Sequence, residues 1–412
     1  MEDNLERCCG IDVHKSKVVA CLLVGELNGE VKKTIKTFST MTNDLLKLRD
    51  WLEAEGCTHV AVESTGVYWK PVFNILESSV KVILANARHI KNLPGRKTDV
   101  KDCEWIAKLL RCGLIEESFI PPKPIRELRD LTRYRKKLVS AATAERNRVQ
   151  KILEDANIKF SSVASNVFGA SGREILQALT QGEQSPEEMA QLAKGKLRGK
   201  IPELVESLNG CLSDHHRYLL EKSLRHLEFL EEPIEELEQR IDACLEPYGE
   251  ECELLQTIPG VKEQTAASLI AEIGTDMSRF PTDAHLSSWA GMSPGNNESA
   301  GKRKSGRTTK GDSSLRCTLC EAAWGASRTK NTYLSARYHR IAARRGKKRA
   351  IMALGHKILV IVYHVLKQGR SYLDLGSDYF DKLHRKALET SLVKKLQSLG
   401  YCVSLEPILV AA

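Results

Sequence analysis

Four acidic residues in the first quarter of the chain have the spacing expected of a metal-dependent active site. Asp12 and Glu63 each end a run of strand-forming apolar residues. Asp99 and Asp102 lie three residues apart at the start of a helical pattern, so both carboxylates project from one face of that helix. Magnesium takes oxygen ligands, and two-metal phosphoryl-transfer sites need converging carboxylates. The four residues therefore predict a magnesium site suited to chemistry on a phosphodiester.

A second candidate site is Ser299, on a predicted loop rich in Gly, Lys and Arg. Its small neighbours would let a phosphate approach, and Lys302, Arg303 and Arg307 could neutralise the charge that develops in an in-line displacement. An unaided serine hydroxyl is a poor nucleophile and needs a base or a metal nearby. On local features alone, such a loop more often binds phosphate than acts as a catalyst.

The positive charge of the chain is concentrated in one segment. Residues 301–350 contain 15 Lys and Arg against two acids, a local balance of +13, whereas the whole chain carries +9. Apolar and aromatic residues interrupt this block, which favours a folded surface that binds a phosphate backbone over a solvated basic tail. The candidate contacts to nucleic acid in this block are Lys302, Arg303, Lys304, Arg307 and Lys310.

Residues 254–274 contain a predicted helical hairpin. One helix ends at a tight turn that contains Pro259 and Gly260, and a second helix follows. A helix–hairpin–helix offers backbone amides and a positive helix end to a phosphate, without sequence preference. The pattern predicts nucleic-acid contact at Pro259 and Gly260, with simple packing of two helices as the alternative.

The elements that must position the four acids alternate between strands and helices. The order fits a mixed-sheet α/β domain of the ribonuclease H type, in which acids at strand ends meet an acid pair on a later helix. The strongest turn signal is the pair Asn28 and Gly29. The predicted strands are residues 7–24, 31–39, 59–63 and 81–85, and the predicted helices are residues 42–55, 67–77 and 98–112.

A proline-rich boundary at residues 121–124 separates this region from two long helical patterns. The first, residues 125–156, is strongly basic. The second, residues 216–245, has an apolar seam, which predicts a short coiled coil within the chain or between subunits, or the packing of two antiparallel helices. Pro233 lies inside the seam and predicts a kink or a helix restart.

The composition is that of a soluble globular protein. Among the 412 residues, 42% are hydrophobic and 28% are charged. The apolar stretch 350–366 is interrupted by polar residues and predicts a buried or amphipathic helix, and the first residues lack the features of a signal peptide. Scattered cysteines with a single CxxC, Cys317 and Cys320, make a zinc site improbable. We therefore expect a cytoplasmic protein.

The order of the motifs resembles one family of transposases. The motifs are Gly-Ile-Asp-Val-His-Lys, Val-Glu-Ser-Thr-Gly-Val-Tyr-Trp, Lys-Thr-Asp-Val-Lys-Asp, Ile-Pro-Gly-Val and Asn-Glu-Ser-Ala-Gly-Lys. As an ordered set they resemble the transposases of the insertion sequence 110 family, closest to its 1111 subgroup. The resemblance implies a RuvC-like domain with a DEDD carboxylate set, a coiled-coil connection, and a helical C-terminal transposase domain with a nucleophilic serine. The implied divisions are residues 7–120, 121–250 and 251–370, with a tail at 371–412.

By this resemblance Asp12, Glu63, Asp99 and Asp102 match the DEDD positions and Ser299 matches the serine, although two other serines, residues 293 and 305, lie close by. The family recombines donor and target DNA under the direction of a bridge RNA, as dimers that pair into tetramers. The implied activity is strand exchange through a covalent phosphoserine, with Mg²⁺ on the carboxylates and the two domains meeting within or between subunits. The alternatives are a metal-dependent endonuclease or Holliday-junction resolvase that uses water, and a non-enzymatic nucleic-acid-binding protein.

Overall fold

The computed structural model describes residues 4–27, 29–64, 66–85, 102–295, 297–306, 308, 310–383 and 385–404. The chain divides into two compact units, Met1–Ile120 and Pro121–Ala412. The divisions expected at residues 250 and 370 stay predictions.

The N-terminal unit is built on one mixed sheet. Its strands are β1 (Arg7–Val13), β2 (Lys17–Val24), β3 (Lys32–Ser39), β4 (His59–Glu63) and β5 (Lys81–Ala85). Their order across the sheet is β3–β2–β1–β4–β5. β1, β2 and β3 pair antiparallel, whereas β4 is parallel to β1 and β5 is parallel to β4. The prediction of a mixed α/β sheet is confirmed.

The first predicted strand, residues 7–24, is wrong in one respect, because it consists of two strands. The chain reverses at three exposed residues, 14–16, where the His14 N–H donates to the Lys17 carbonyl oxygen at 2.9 Å. The polar run His-Lys-Ser between two apolar runs was the signal for this turn. The predicted turn at Asn28 lies outside the described residues.

Both faces of the sheet are covered by helices. The described helices of this unit are α1 (Thr42–Ala54), α2 (Trp69–Leu76) and α3 (Asp102–Arg111). Cys9 and Ile11 of β1 are buried with the apolar faces of α1 and α2, whereas Cys8 is buried with α3. Successive strand residues point to opposite faces, and burial of both faces explains why β1 and β2 are apolar almost throughout.

The described part of the C-terminal unit is helical apart from one short hairpin, β6 (Asn297–Ser299) and β7 (Lys302–Ser305). Turns of 3₁₀ helix occur at Gly195–Lys200, Glu246–Tyr248 and Met277–Arg279. The α-helices are α4 (Lys123–Asp155), α5 (Phe160–Val163), α6 (Ala170–Gln181), α7 (Pro186–Gln191), α8 (Ile201–Leu208), α9 (Asp214–Leu245), α10 (Gly249–Gln256), α11 (Glu263–Ile273), α12 (Asp283–Trp289), α13 (Ser313–Arg328), α14 (Tyr333–Arg345), α15 (Lys347–Gln368), α16 (Tyr379–Leu383) and α17 (Arg385–Ser398).

The two long helices α4 and α9 pack against each other as an antiparallel pair. Arg135 contacts Glu238 and, about three turns further along α4, Arg146 contacts Glu231 at 2.8 Å, so the residue numbers run in opposite directions. Leu227 of the predicted seam is buried with residues of α4. Within the chain, therefore, the seam serves as helical core packing. α9 continues through Pro233, so a helix restart at that residue is wrong, and the alternative, a kink, stays a prediction.

α15 is the core helix of the last helical group. It packs between α13 and α14, and the buried hydroxyl of Tyr363 donates to the carbonyl oxygen of Phe280 at 3.1 Å. Within the described part of the chain, α15 is the one helix long and apolar enough to cross a membrane by length and composition, and half of its most apolar window is buried. This agrees with the buried helix predicted at residues 350–366.

The first part of the predicted tail packs onto α14. Asp374 accepts hydrogen bonds from the backbone N–H of Tyr333, at 3.0 Å, and from the hydroxyl of Tyr372, at 3.1 Å. Burial and the nearby Asp374 carboxylate raise the pKa of Tyr372, so this hydroxyl stays protonated as a donor. The chain just after α15 is thus part of the folded unit.

Candidate active site

Asp12 and Glu63 end neighbouring strands at the same edge of the sheet. β1 and β4 are parallel, with Ile11 opposite Val62. Because the carboxyl ends of parallel strands meet at one edge, the next residues, Asp12 and Glu63, lie side by side. Ile11 and Val62 face α1 and α2, so the alternation of side chains places both acids on the face covered by α3.

Gly10 allows the start of α3 to lie directly on β1. A β-carbon at Gly10 would lie 2.2 Å from the carbonyl oxygen of Cys103 and 2.3 Å from the backbone nitrogen of Ala107. Gly10 and Asp12 are on the same face of β1, and Asp102 is the first residue of α3. This close packing brings the helix end that carries Asp102 to the face of the sheet that carries Asp12. Sequence analysis did not assign Gly10 a role, although its place in the Gly-Ile-Asp motif was the available signal.

The acids of this face have the donor chemistry of a hard cation site. Three of the four predicted carboxylates, Asp12, Glu63 and Asp102, are on one side of the sheet and offer only oxygen ligands. Among the described residues, no three His, Cys, Asp or Glu side chains are grouped closely enough to hold a metal ion, and Asp99 lies outside that range. The Oδ2 atom of Asp12 contacts Nε2 of His14 at 3.1 Å.

Ser299 lies at the tip of the β6–β7 hairpin, where sequence analysis predicted a loop without strands. In the antiparallel register Ser299 is opposite Lys302. The two residues between them, Ala300 and Gly301, have φ values of 51° and 72°. Two positive φ angles are the mark of a tight two-residue hairpin turn. The backbone therefore presents Ser299 beside the turn, while its side chain lies outside the description.

Two glycines close the base of the segment that carries this hairpin. A β-carbon at Gly311 would lie 2.3 Å from the backbone nitrogen of Gly291 and 2.4 Å from the carbonyl carbon of Ala290. The Arg316 side chain reinforces this contact, since its Nη2 donates to the carbonyl oxygen of Gly291 at 3.0 Å. The segment that carries Ser299 is thus held at both ends by direct backbone contact, a role for the two glycines that sequence analysis missed.

Replacing Gly311 by alanine is expected to reduce the phosphodiester cleavage predicted from the sequence on the order of 100-fold, because the added methyl group must displace the backbone at the base of the Ser299 segment. Cleavage of a DNA substrate by the full-length variant measures this effect. The matched control is Gly199→Ala, since a β-carbon at Gly199 would meet no atom within 4 Å. Equal activities of the two variants would show that the contact does not position Ser299.

A buried ionic network anchors the helix that follows this segment. Asp312 caps α13, because its Oδ1 accepts from the backbone N–H groups of Ser314 and Leu315 at 2.8 and 3.0 Å. Its Oδ2 accepts from Nη2 of Arg133 on α4 at 2.5 Å. Arg133 also binds Glu272 of α11 through two hydrogen bonds, at 2.8 and 2.7 Å. Three helices, α4, α11 and α13, are therefore tied together at one point.

Glu272 is the centre of this network, with a side chain that is 2% exposed. Nε of Arg129 lies 3.3 Å from its Oε2 and donates to the carbonyl oxygen of Ala271 at 3.0 Å, near the C-terminus of α11. The hydrogen bonds to Glu272 raise the pKa of Arg133, whereas burial lowers the pKa of Arg129. A guanidinium at a helix C-terminus also stabilises the helix dipole.

The predicted phosphate-binding turn packs on α13. Gly260 has a φ of 87°, and a β-carbon there would lie 2.2 Å from the carbonyl oxygen of Ala322. Pro259 and Gly260 are half-buried, and α11 begins three residues after Gly260 at Glu263, without a side-chain hydrogen bond at its N-cap. The turn therefore has a packing role, and its contact with phosphate stays a prediction.

The other predicted nucleic-acid contacts surround the hairpin. Lys302 and Lys310 are exposed. Arg303 and Lys304 lie in β7, and their side chains are outside the description, as is the whole of Arg307.

Comparisons with known proteins identify both regions. Residues 9–158 match a transposase family, the IS110-type DEDD domain, and residues 252–339 match the transposase IS116/IS110/IS902 family. The first match includes Asp12, Glu63, Asp99 and Asp102, and the second includes Ser299.

Several relatives align over most of the chain. The transposase for insertion sequence element IS1111A of Coxiella burnetii is 24% identical, over 77% of this chain and 79% of the relative. An insertion element IS110 protein of Streptomyces coelicolor is 26% identical, over 69% and 75%. The pilin gene-inverting protein of Moraxella bovis is 24% identical, over 88% and 96%.

Proposed function

Because this chain carries the domains of the IS110-family transposases and is a DNA-acting enzyme, we propose that it is an RNA-guided recombinase of an insertion sequence. It cuts and rejoins DNA through a phosphoserine intermediate. The observation that carries the proposal is the placement of Asp12 and Glu63 on adjacent strand ends, on the face packed by the helix that starts at Asp102. This is where a phosphodiester-cleaving site needs its oxygen ligands.

In this mechanism each group has one task. Asp12, Glu63, Asp99 and Asp102 would hold Mg²⁺, which supplies Lewis-acid activation of a hydroxyl and neutralises charge on the phosphate. Ser299 attacks phosphorus and gives up its hydroxyl proton, so a serine–phosphate bond forms as one DNA P–O bond breaks. The released strand leaves as an oxyanion that takes up a proton and so gains a hydroxyl. Lys302, opposite Ser299 in the hairpin, neutralises charge on the phosphoryl oxygens. Attack by a second strand on the phosphoserine rejoins the DNA.

The RNA partner and the assembly rest on the motif resemblance. A bridge RNA pairs with donor and target DNA and so selects both sequences, and dimers of the chain join into tetramers in the cytoplasm. The 1111 subgroup is favoured by the same motifs. The Pro259–Gly260 turn and the exposed Lys302 and Lys310 bind the DNA backbone without sequence preference.

The covalent intermediate is the direct test. Protein, Mg²⁺, the RNA of the element and cognate DNA are incubated, and a denaturation-resistant protein–DNA adduct is measured. Ser299→Ala is expected to lower adduct formation on the order of 10⁴-fold or more, because the nucleophile is lost. Asp12→Asn should also abolish the adduct while DNA binding persists, and omission of the RNA should abolish recombination.

Ser293→Ala and Ser305→Ala are the matched controls, since both serines lie near Ser299 in the same segment. An adduct that persists in Ser299→Ala, or cleavage by water without any adduct, would replace the serine mechanism by that of a metal-dependent endonuclease or junction resolvase. Recombination in the absence of the RNA would contradict the proposal that an RNA guides the reaction.

A further inference from the structure

Trp324 is exposed on α13, where its ring is held in place by two neighbours. It is 42% exposed, whereas the other four tryptophans of the chain are half-buried. The guanidinium of Arg328, one helical turn later, lies 6.0 Å from the centre of its ring. The ring of Tyr338 on α14 lies 6.2 Å from it on the buried side. The exposed indole is therefore an ordered, cation-flanked surface.

The sequence that follows Glu321 on α13 is strongly basic. Residues 322–373 contain twelve Lys and Arg and no Asp or Glu. The two acids earlier in the basic block, Asp312 and Glu321, already contact Arg133 and Lys136 of α4. A partner of this surface must therefore be strongly anionic.

Three exposed arginines follow Trp324 in sequence, one on α13 and two on α14. Among the described ion pairs, none joins Arg328, Arg340 or Arg344 to an acid, although all three are exposed. Guanidinium groups attract phosphate, and the flat indole beside Arg328 adds a surface that a phosphate contact does not need.

We propose that Trp324 and Arg328 form a stacking site for an unpaired base of the DNA strand that is cut. Every base has a flat face that stacks on an aromatic ring, and an arginine beside the ring strengthens the contact. In an intact duplex the base faces are covered by their neighbours, so the site selects a frayed or displaced strand. This inference rests on the proposed DNA recombinase activity and adds a contact to a base.

Two placements favour DNA as the occupant and locate its backbone. α13 begins at Asp312, directly after the segment that carries Ser299. A β-carbon at Gly325, the residue after Trp324, would lie 3.1 Å from the Cα of Gly260, so the turn predicted to bind phosphate is adjacent to the indole. A base on Trp324 would thus belong to a strand whose backbone passes the Pro259–Gly260 turn.

The test compares a single-stranded DNA oligonucleotide with an abasic oligonucleotide of equal length, which keeps the phosphates and lacks the bases. Dissociation constants are measured by fluorescence anisotropy with the full-length protein, and quenching of tryptophan emission is recorded. Wild type is expected to bind the DNA with bases roughly tenfold more tightly, the effect of stacking one base. Trp324→Ala should bring the ratio of the two dissociation constants, abasic DNA over DNA with bases, close to one. Trp324→Phe should retain part of the preference for DNA with bases.

Phe229→Ala is the matched control, because Phe229 is 69% exposed on α9, away from the basic block in sequence. Its ratio should equal that of wild type. Equal losses for both oligonucleotides in Trp324→Ala, or an unchanged ratio, would overturn the stacking site. A ratio that depends on Trp324 with RNA oligonucleotides and not with DNA would overturn DNA as the occupant.

Ser299→Ala separates this inference from the proposed mechanism. Binding requires no cleavage, so the Ser299→Ala protein should keep the wild-type ratio. Loss of the Trp324 effect with normal adduct formation would reject the stacking site alone, whereas a retained effect without any adduct in wild type would reject the serine mechanism alone.

Discussion

Replacing Glu272 by alanine should destabilise the C-terminal unit by about 3–5 kcal/mol. Removing one charged group from a buried network leaves its partners without an opposite charge. The resulting loss in the free energy of unfolding is larger than the net stabilisation that the intact network provides. The side chain of Glu272 is 2% exposed and accepts two hydrogen bonds from Arg133, with Arg129 3.3 Å away. Without the Glu272 carboxylate, the guanidinium groups of Arg129 and Arg133 stay partly buried and have fewer hydrogen-bond acceptors.

Hydrogen exchange of the α11 amides, measured by mass spectrometry in the full-length chain, reports this loss locally. Glu238→Ala is the matched control, because it breaks the Arg135 contact, where Glu238 is 35% exposed. Its expected cost is smaller, about 1 kcal/mol, since Glu238 is reached by solvent whereas Glu272 is not. The triple variant Arg129→Met, Arg133→Met and Glu272→Met should recover much of the stability of the network. Equal protection of α11 in Glu272→Ala and Glu238→Ala would contradict the assigned role.

Replacing Gly10 by alanine should lower the proposed catalytic activity roughly 100-fold and the stability by about 1–3 kcal/mol. The added carbon would lie 2.2 Å from the carbonyl oxygen of Cys103 and 2.3 Å from the backbone nitrogen of Ala107. Backbone atoms cannot rotate away as a side chain does, so α3 must move off β1. Asp102 moves with α3, and a displacement of about 1 Å in such a site costs roughly 100-fold in rate.

Adduct formation and thermal unfolding together measure the effect of Gly10→Ala. Gly29→Ala serves as the control in the same unit, because its nearest new contact, the β-carbon of Glu26, is at an ordinary 3.4 Å. Full activity of Gly10→Ala would mean that α3 does not hold Asp102 against the sheet. A Gly29→Ala variant as impaired as Gly10→Ala would point to a general effect of glycine replacement.

Elements with a strong local pattern could be predicted from the sequence. β4 and β5 have the predicted bounds, and α1 differs from its prediction by one residue, because apolar periodicity and turn residues are local properties. The two strands inside residues 7–24 and the β6–β7 hairpin were missed. Each depends on a tight turn of two or three residues, which is too short to form a periodic pattern of its own.

The residues that position the candidate site were hidden for a different reason. Arg133 and Glu272 are 139 residues apart in sequence, and neither has a local pattern that announces the other. The same holds for Gly10, which is explained only by the backbone of α3, and for Gly311, which is explained only by Gly291. Close approach between distant segments leaves no periodic signal in either segment.

The sequence by itself determined the chemical types: carboxylates at strand ends, a serine among cations, and a basic block of +13 in residues 301–350. Residue type and local order are enough for that, since they set charge, ligand chemistry and secondary structure. Only the tertiary structure decided two placements, that of Asp12 beside Glu63 through the parallel register and that of Trp324, exposed beside Tyr338 of the next helix. Placement depends on packing between segments distant in sequence, which no local pattern specifies.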